Sequence, residues 1–336
     1  MLKVGVIGTG IMARQHAQIV DAYHRSELLA WGSRGTPTDL PVEAPVMTAD
    51  ALLALDELDA VIIATPDFAH AELAVRAAAA GKHVLIEKPL ATTADDARRI
   101  RDAARDAGVV ATTLFNHRWV PAYSQARALS RDSQLGAPVL AYARKNDTIY
   151  VPTEMIDWAD RTTPSFFLSS HDLDLVLWCF QDRVVEVYAT AVWGVLRDRG
   201  VETPDAVHAQ LKLAGGGVIT LEACWILPNT FPTMTDSFIE LIFTEGTIRL
   251  DRVTEQIEIA TNDAFRYPRN QLLSNIDGKL TGSVAMAIHD FIDAVVDDRP
   301  ALVTVDSSVH VTEVLVAIDE SCRTGQPVRM IGTASS

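Results

Sequence analysis

Apolar and polar positions along the chain show two textures, and the change falls near residue 121. Before it, short apolar runs at residues 3–8, 27–33, 59–65, 83–87 and 109–115 alternate with longer segments of helical spacing at 11–23, 69–80 and 93–107. Gly81 and Gly108 stand where helix C-terminal caps belong. Repeated strand–helix units with short connections predict an α/β domain: a parallel sheet with helices on both faces. After Pro121 a helix-like stretch at 123–130 leads into β-rich runs at 138–151, 184–193, 207–213, 218–226, 238–243 and 247–250. The Gly215-Gly216-Gly217 and Glu245-Gly246 turns read as hairpin connections, and helical segments follow at 284–296 and 307–323. This half predicts an α+β domain built on a large, mostly antiparallel open sheet. The expected domains are 1–121 and 122–331, with a tail at 332–336 expected to be disordered.

Composition narrows the function classes. A length of 336 residues fits two domains, and 48% hydrophobic with 22% charged residues is an ordinary globular mixture. The net charge is −15 and no Lys/Arg run is long enough to track a phosphate backbone, so neither nucleic acid nor an anionic membrane is an expected partner. Cys179, Cys224 and Cys322 are far apart and odd in number, which fits neither a zinc site nor a disulfide framework. No metal is expected, and a reducing compartment is. The chain opens directly into a strand-like run, with no room for a signal peptide, and no apolar segment approaches the roughly 20 residues needed to span a bilayer. The expected location is cytoplasmic.

The most specific local signal is Gly8-Thr9-Gly10-Ile11-Met12-Ala13, a G-x-G-x-x-A between the first strand and the first helix. Gly8 permits the tight turn, Gly10 lets backbone approach a pyrophosphate, and Ala13 allows close helix–sheet packing. The helix N-terminus beginning at Ile11 and Met12 faces the phosphates. The pattern predicts a dinucleotide site in a Rossmann domain. About 20 residues on, an acid would read the ribose hydroxyls of NAD. Trp31-Gly32-Ser33-Arg34-Gly35 stands there instead. The Ser33 hydroxyl and Arg34 guanidinium suit a 2′-phosphate, so NADP is preferred and NAD stays possible; a solvated turn is the plain alternative.

Two further strands end in polar residues at the sheet edge where such folds bind ligands: Thr65-Pro66-Asp67 and Glu87-Lys88-Pro89. Lys88 is either a solvated cap or, beside a nicotinamide, a group that binds the substrate oxygen and handles its proton. The stretch SFFLSSHDLDLVLW at 165–178 places His171 and Asp174 three residues apart on one helical face, with Ser169 or Ser170 as the expected cap. Asp172 points about 100° away from that face. The rest of the helix is apolar nearly all round and so is buried. His171 is a satisfied core residue or a general acid–base.

Three segments together resemble the glucose–fructose oxidoreductase / myo-inositol dehydrogenase (Gfo/Idh/MocA) family: VGVIGTGIMARQHA at 4–17, ATPDFAHAELAVRAAAAGKHVLIEKPLATT at 64–93, and HDLDLVLW at 171–178. The resemblance implies an NAD(P)-dependent oxidoreductase of sugars, polyols, inositols or their keto forms. It implies a Rossmann domain followed by a domain whose open sheet has one face covered by helices. The other face is commonly used for association, here as a homodimer or homotetramer. By resemblance Lys88 is catalytic and lies at the cofactor near the reacting carbon, Thr65, Pro66 and His70 lie on the cofactor side, Glu87 lies near the nicotinamide ribose, and Asn116 sits at the hinge near the nicotinamide.

The chain departs from the family pattern D-x-G-x-H-x-x-D. His171 and Asp174 match it, but Phe167 occupies the leading acid position and Ser169 the glycine position. A phenyl ring cannot relay a proton. Three readings follow: Lys88 and His171 suffice, with Phe167 as an apolar wall; Asp172 substitutes; or redox activity is lost and the chain is a dinucleotide-dependent regulator. Other branches recycle a bound dinucleotide to cleave glycosides or epimerise, which gives a rival enzymatic reading. Lys145, Asn146, Tyr150, Asp157 and Trp158 complete the expected substrate wall, although Trp158 serves equally well as packing.

Overall fold

The computed structural model describes residues 1–131, 133–255, 257–268 and 271–330. Its first sheet is built from β1 (Leu2–Ile7), β2 (Ser26–Gly32), β3 (Val46–Met47), β4 (Ala60–Ile63), β5 (His83–Ile86) and β6 (Ala111–Thr113), connected by α1 (Ile11–Ala22), α2 (Ala49–Leu53), α3 (His70–Ala79) and α4 (Ala94–Ala107). All pairings are parallel, in the order β3-β2-β1-β4-β5-β6. The order reverses between β1 and β4, which opens a crevice at their C-terminal ends.

Alternation along the strands explains why these runs are apolar throughout. Val4, Val6, Ile62 and Leu85 join one buried cluster with Ala13, Ala17 and Val20 of α1. Ile7, Val61, Ile63 and Ile86 join another with Leu52, Ala74, Ala77, Ala97 and Ile100. Both faces are covered, so the polar positions that alternation would leave free do not occur.

The domain boundary differs from the sequence expectation. One compact unit comprises Met1–Trp119 with Leu272–Thr312, and the other comprises Val120–Gln271 with the residues from Glu313 onward. Helix Ser283–Val296 therefore belongs with the first sheet, because Val284, Ile288, Phe291 and Ile292 bury against α1 and β1. Its apolar stripe was legible, but not the surface that covers it.

In the second unit, α5 (Pro121–Ser130) precedes β7 (Pro138–Thr148), α6 (Ser170–Phe180), β8 (Val184–Val192), β9 (Ala206–Leu213), β10 (Val218–Leu227), β11 (Thr235–Phe243) and β12 (Thr247–Asp251). The strand order is β12-β11-β7-β10-β9-β8, extended beyond β8 by Val328–Arg329. The β7–β10 pair is parallel and the other pairs are antiparallel, so the sheet is mixed. Ala143, Ala209, Leu221 and Ile239 lie on its buried face, whereas Leu140 and Tyr188 are exposed on the other. The serine cap expected for α6 is absent. The helix starts earlier, in a wide turn over Ser165–Ser169, and the Thr163 hydroxyl accepts the Phe166 N–H. Among the described residues no helix is long and apolar enough to cross a membrane. The 332–336 tail lies outside the described residues.

Candidate active site

In the first unit the glycine-rich turn joins β1 to α1. Gly8 has φ +122°, and a Cβ there would lie 2.2 Å from the Ala64 carbonyl oxygen. Only glycine allows β1 and β4 to meet at this edge. Gly10 caps α1 with no side-chain hydrogen bond, and a Cβ added to it would meet nothing within 4 Å. The space before the helix is open, and the first-turn N–H groups of Ile11 and Met12 lack helical acceptors, as a pyrophosphate requires. Ala13 is fully buried against the sheet. Thr65 adds a buried hydroxyl with no protein partner at the end of β4. These features fit a dinucleotide.

At the end of β2 the Ser33 hydroxyl accepts the Gly35 N–H at 3.2 Å, and Arg34 is exposed. Arg14 of α1 reaches across from the turn, donating to the carbonyls of Thr9, Thr38 and Asp39. It ties the 38–39 segment to the glycine turn, a role the sequence pattern did not disclose.

The ends of β4 and β5 carry the chemistry. Glu87 and Lys88 follow directly on Ile86, and the Glu87 carboxylate accepts the Lys88 N–H at 3.1 Å. His16 Nε2 lies 2.7 Å from the other Glu87 oxygen. Burial pushes the Glu87 carboxyl up, but the hydrogen bond and charge of His16, with the charge and N–H of Lys88, bring it below the usual carboxylate range. His70 Nε2 lies 2.9 Å from the Thr65 carbonyl and Nδ1 lies 2.8 Å from the Pro89 carbonyl, so α3 sets this ring between the loop carrying Pro66 and the loop carrying Lys88. Asn116 is buried and donates to the Ser283 hydroxyl at 3.1 Å. Thus Gly8, Gly10, Thr65, Glu87 and Lys88 gather at one edge of the parallel sheet.

In the second unit His171 is half-buried in the first turn of α6, with Asp172 and Asp174 buried beside it. Asp172 does not substitute for the missing acid: its carboxylate lies 3.1 Å from the Lys145 ammonium, and both side chains are buried. Lys145, expected in the substrate wall, is buried with its ammonium on this carboxylate. Asn146, the next residue of β7, points to the opposite sheet face and donates to Glu222 at 2.7 Å, so it is not brought together with His171. Tyr150 is exposed, and its backbone N–H donates to Asn229. Phe167 packs edge-on against the buried Trp225, with ring centroids 5.4 Å apart, and tilted against Trp158 at 6.1 Å. A carboxylate in its place would face two indole rings. Phe167 is thus packed between Trp225 and Trp158.

The sequence reading missed His16, Arg14 and Trp225. For His16 a signal existed: a polar residue on the buried face of α1, one helical turn beyond the motif.

Comparison with known proteins identifies the family and the fold. Residues 2–115 match the model of an oxidoreductase family with an NAD-binding Rossmann fold, and residues 133–330 match its C-terminal alpha/beta domain. Levoglucosan dehydrogenase of Pseudarthrobacter phenanthrenivorans is 34% identical over 40% of the chain, and the match spans only 38% of that enzyme's length. D-xylose 1-dehydrogenase (NADP(+)) 2 of Haloferax volcanii is 27% identical, over 98% of this chain and all of that one. Among solved structures, GenD2 from gentamicin A biosynthesis, in complex with NAD, superposes with a TM-score of 0.85 at 26% identity, covering 98% of this chain and 96% of that one.

Proposed function

Because the chain belongs to the Gfo/Idh/MocA family of NAD(P)-dependent oxidoreductases, we propose that Lys88 binds and polarises the substrate oxygen while a hydride moves between nicotinamide and the carbon bearing it. The enzyme acts on carbohydrate-like alcohols or ketones. The observation that carries the Lys88 assignment is its place: it follows β5, at the sheet edge that also holds the Gly8–Gly10 turn and Thr65. A dinucleotide held at the Gly8–Gly10 turn would supply the hydride chemistry. The Lys88 ammonium donates to the oxygen on which negative charge develops during reduction, and gives it the proton. By the family pattern His171 is read as a second proton-handling group, and Phe167 with Trp158 as an apolar surface in place of an acid.

NADP is the preferred cofactor in this reading. The turn after β2 presents a hydroxyl and an exposed guanidinium and holds no acid to repel a 2′-phosphate. The uncovered sheet face, with Leu140, Tyr188 and Val192 exposed, is read as the contact with a second copy, giving a dimer or tetramer measurable by light scattering. The three free cysteines accord with a cytoplasmic, reducing location.

Thermal-shift titration with NADPH and NADH, followed by D-xylose, myo-inositol and levoglucosan with the absorbance of reduced nicotinamide as readout, tests cofactor and reaction together. Lys88→Ala is expected to keep cofactor affinity and to lose about a hundredfold or more in kcat. Unchanged turnover would remove Lys88 from the chemistry.

A further inference from the structure

The segment that carries Lys88 is gripped on both flanks by a buried histidine. On one side His16, fully buried on α1, holds one oxygen of the Glu87 carboxylate at 2.7 Å, while the other oxygen accepts the Lys88 N–H at 3.1 Å. An ionised carboxylate only accepts, so His16 Nε2 carries the hydrogen of that contact. On the other side His70, also buried, faces the Pro89 carbonyl at 2.8 Å and the Thr65 carbonyl at 2.9 Å. Carbonyl oxygens likewise offer only lone pairs. The ring ties the one its N–H faces, and both when doubly protonated.

The other buried side chains of α1 and α3 are alanine and aliphatic, so these two rings are the polar exceptions on their buried faces. Polar rings placed there cost desolvation that only their hydrogen bonds offset. The three oxygen atoms they face, on Glu87, Pro89 and Thr65, belong to the two loops at the C-terminal edge, and His16 sits on the helix whose N-terminus is Gly10. Gly10 and His16 are six positions apart, about 9 Å along the axis. One rigid helix thus references both the phosphate end of the cofactor site and the backbone of the lysine.

We propose that His16 and His70 are positioning residues for Lys88, His16 acting through the Glu87 carboxylate and His70 through the Pro89 carbonyl. Their effect on turnover rests on the reading of Lys88 as the oxygen-binding group; their effect on the lysine's surroundings does not. The groups whose charge acts on the Glu87 carboxyl are His16 from α1 and Lys88 itself. Without His16, burial acts on that carboxyl against Lys88 alone and moves it upward, so it takes up a proton at a higher pH than in the native enzyme. Lys88 then loses its neighbouring negative charge.

The experiment uses the full chain, which has six lysines. Reductive 13C-methylation gives each a separate NMR signal, and the Lys88 signal is the one missing from Lys88→Arg. Native protein, His16→Leu, His16→Gln and His70→Leu are titrated over about pH 5 to 9. His16→Leu should add an inflection to the Lys88 signal that the native protein lacks. His16→Gln, whose amide can still donate to Glu87, should remove it. His70→Leu should displace the Lys88 signal at all pH values. With NADPH and any substrate turned over from the panel above, both leucine variants should lose roughly tenfold or more in kcat with cofactor affinity little changed. Lys88 signals identical in all variants would overturn the bracket. Displaced signals with undiminished turnover in Lys88→Ala would instead overturn the catalytic reading and leave the bracket standing. Loss of fold in a leucine variant is read from its melting curve, and the glutamine variant then decides: a Lys88 titration matching the native one upholds the bracket, and one that gains the inflection overturns it.

Discussion

The two glycines of the G-x-G turn are chemically identical, yet the structure assigns them different work, and alanine substitution separates the two. At Gly8 an added Cβ would lie 2.2 Å from the Ala64 carbonyl oxygen, where real contacts stay above 3.0 Å. The backbone cannot yield freely, because the Gly8 N–H donates to Gly32 at 2.9 Å and the Ala64 N–H donates to Ile7 at 2.9 Å. The positive φ adds about 1–3 kcal/mol of strain for a non-glycine residue, and one lost hydrogen bond adds about 1 kcal/mol. Gly8→Ala should therefore cost about 2–4 kcal/mol, a fall in Tm of about 5–15 °C for a unit of this size. At Gly10 the backbone has φ −72° and ψ −175°, which any residue adopts, and the added Cβ meets no protein atom. Gly10→Ala should leave stability within about 0.5 kcal/mol. Its methyl group instead occupies the space the pyrophosphate needs, and NADPH affinity should fall tenfold or more, about 1.4 kcal/mol. Scanning fluorimetry of both variants with and without NADPH, joined to calorimetric Kd values, measures the two effects separately. Native NADPH affinity in Gly10→Ala would refute the phosphate site, and an unchanged Tm in Gly8→Ala would refute the packing argument.

Arg34→Ala should weaken NADPH binding about tenfold and leave NADH binding unchanged; an equal loss for both cofactors would remove Arg34 from the 2′-phosphate. Lys145→Met should cost about 3 kcal/mol near neutral pH, because it strands the buried Asp172 carboxylate. Burial already holds that carboxyl above its ordinary range against Lys145 and Arg252. A raised folded value means the folded state binds the proton more tightly, so the loss should shrink on acidification in urea titrations; a pH-independent loss would contradict the pairing. Asp319 is pushed up to about 6 by burial, against hydrogen bonds from Ser165 and Thr163. Its contribution is present below the unfolded value and lost as pH rises through about 6, so Asp319→Asn should gain about 2 kcal/mol on the native protein between about pH 4 and pH 8, read from urea midpoints.

Much of the cofactor end is legible in the amino-acid sequence, because its signals are local. The glycine turn, the strand ends at Thr65 and Lys88, and the caps at Gly81 and Gly108 depend only on neighbours in the chain and on backbone sterics. Most strand and helix positions of both halves follow from periodicity for the same reason, but the short β3 and α2 do not. Helical spacing likewise places Asp172 on a different face from His171.

What the chain could not disclose is which surfaces meet. His16 and Glu87 are 71 positions apart, and their hydrogen bond exists only because the fold brings α1 to the residue that follows β5. Helix Ser283–Val296 has an apolar stripe that would serve either sheet, and tertiary packing gives it to the first. Lys145 and Asn146 are adjacent and both polar, but the pleat sends one to Asp172 and the other to Glu222. Even the departure at Phe167 changes meaning in three dimensions, where it is an edge-on partner of Trp225. Period and turn chemistry are properties of a few consecutive residues, so the main elements, the dinucleotide turn and the family can be read from the chain alone. Burial, pairing and charge are properties of contacts between distant segments, so the partners of His16, Lys145 and Phe167 emerge only when the chain is folded.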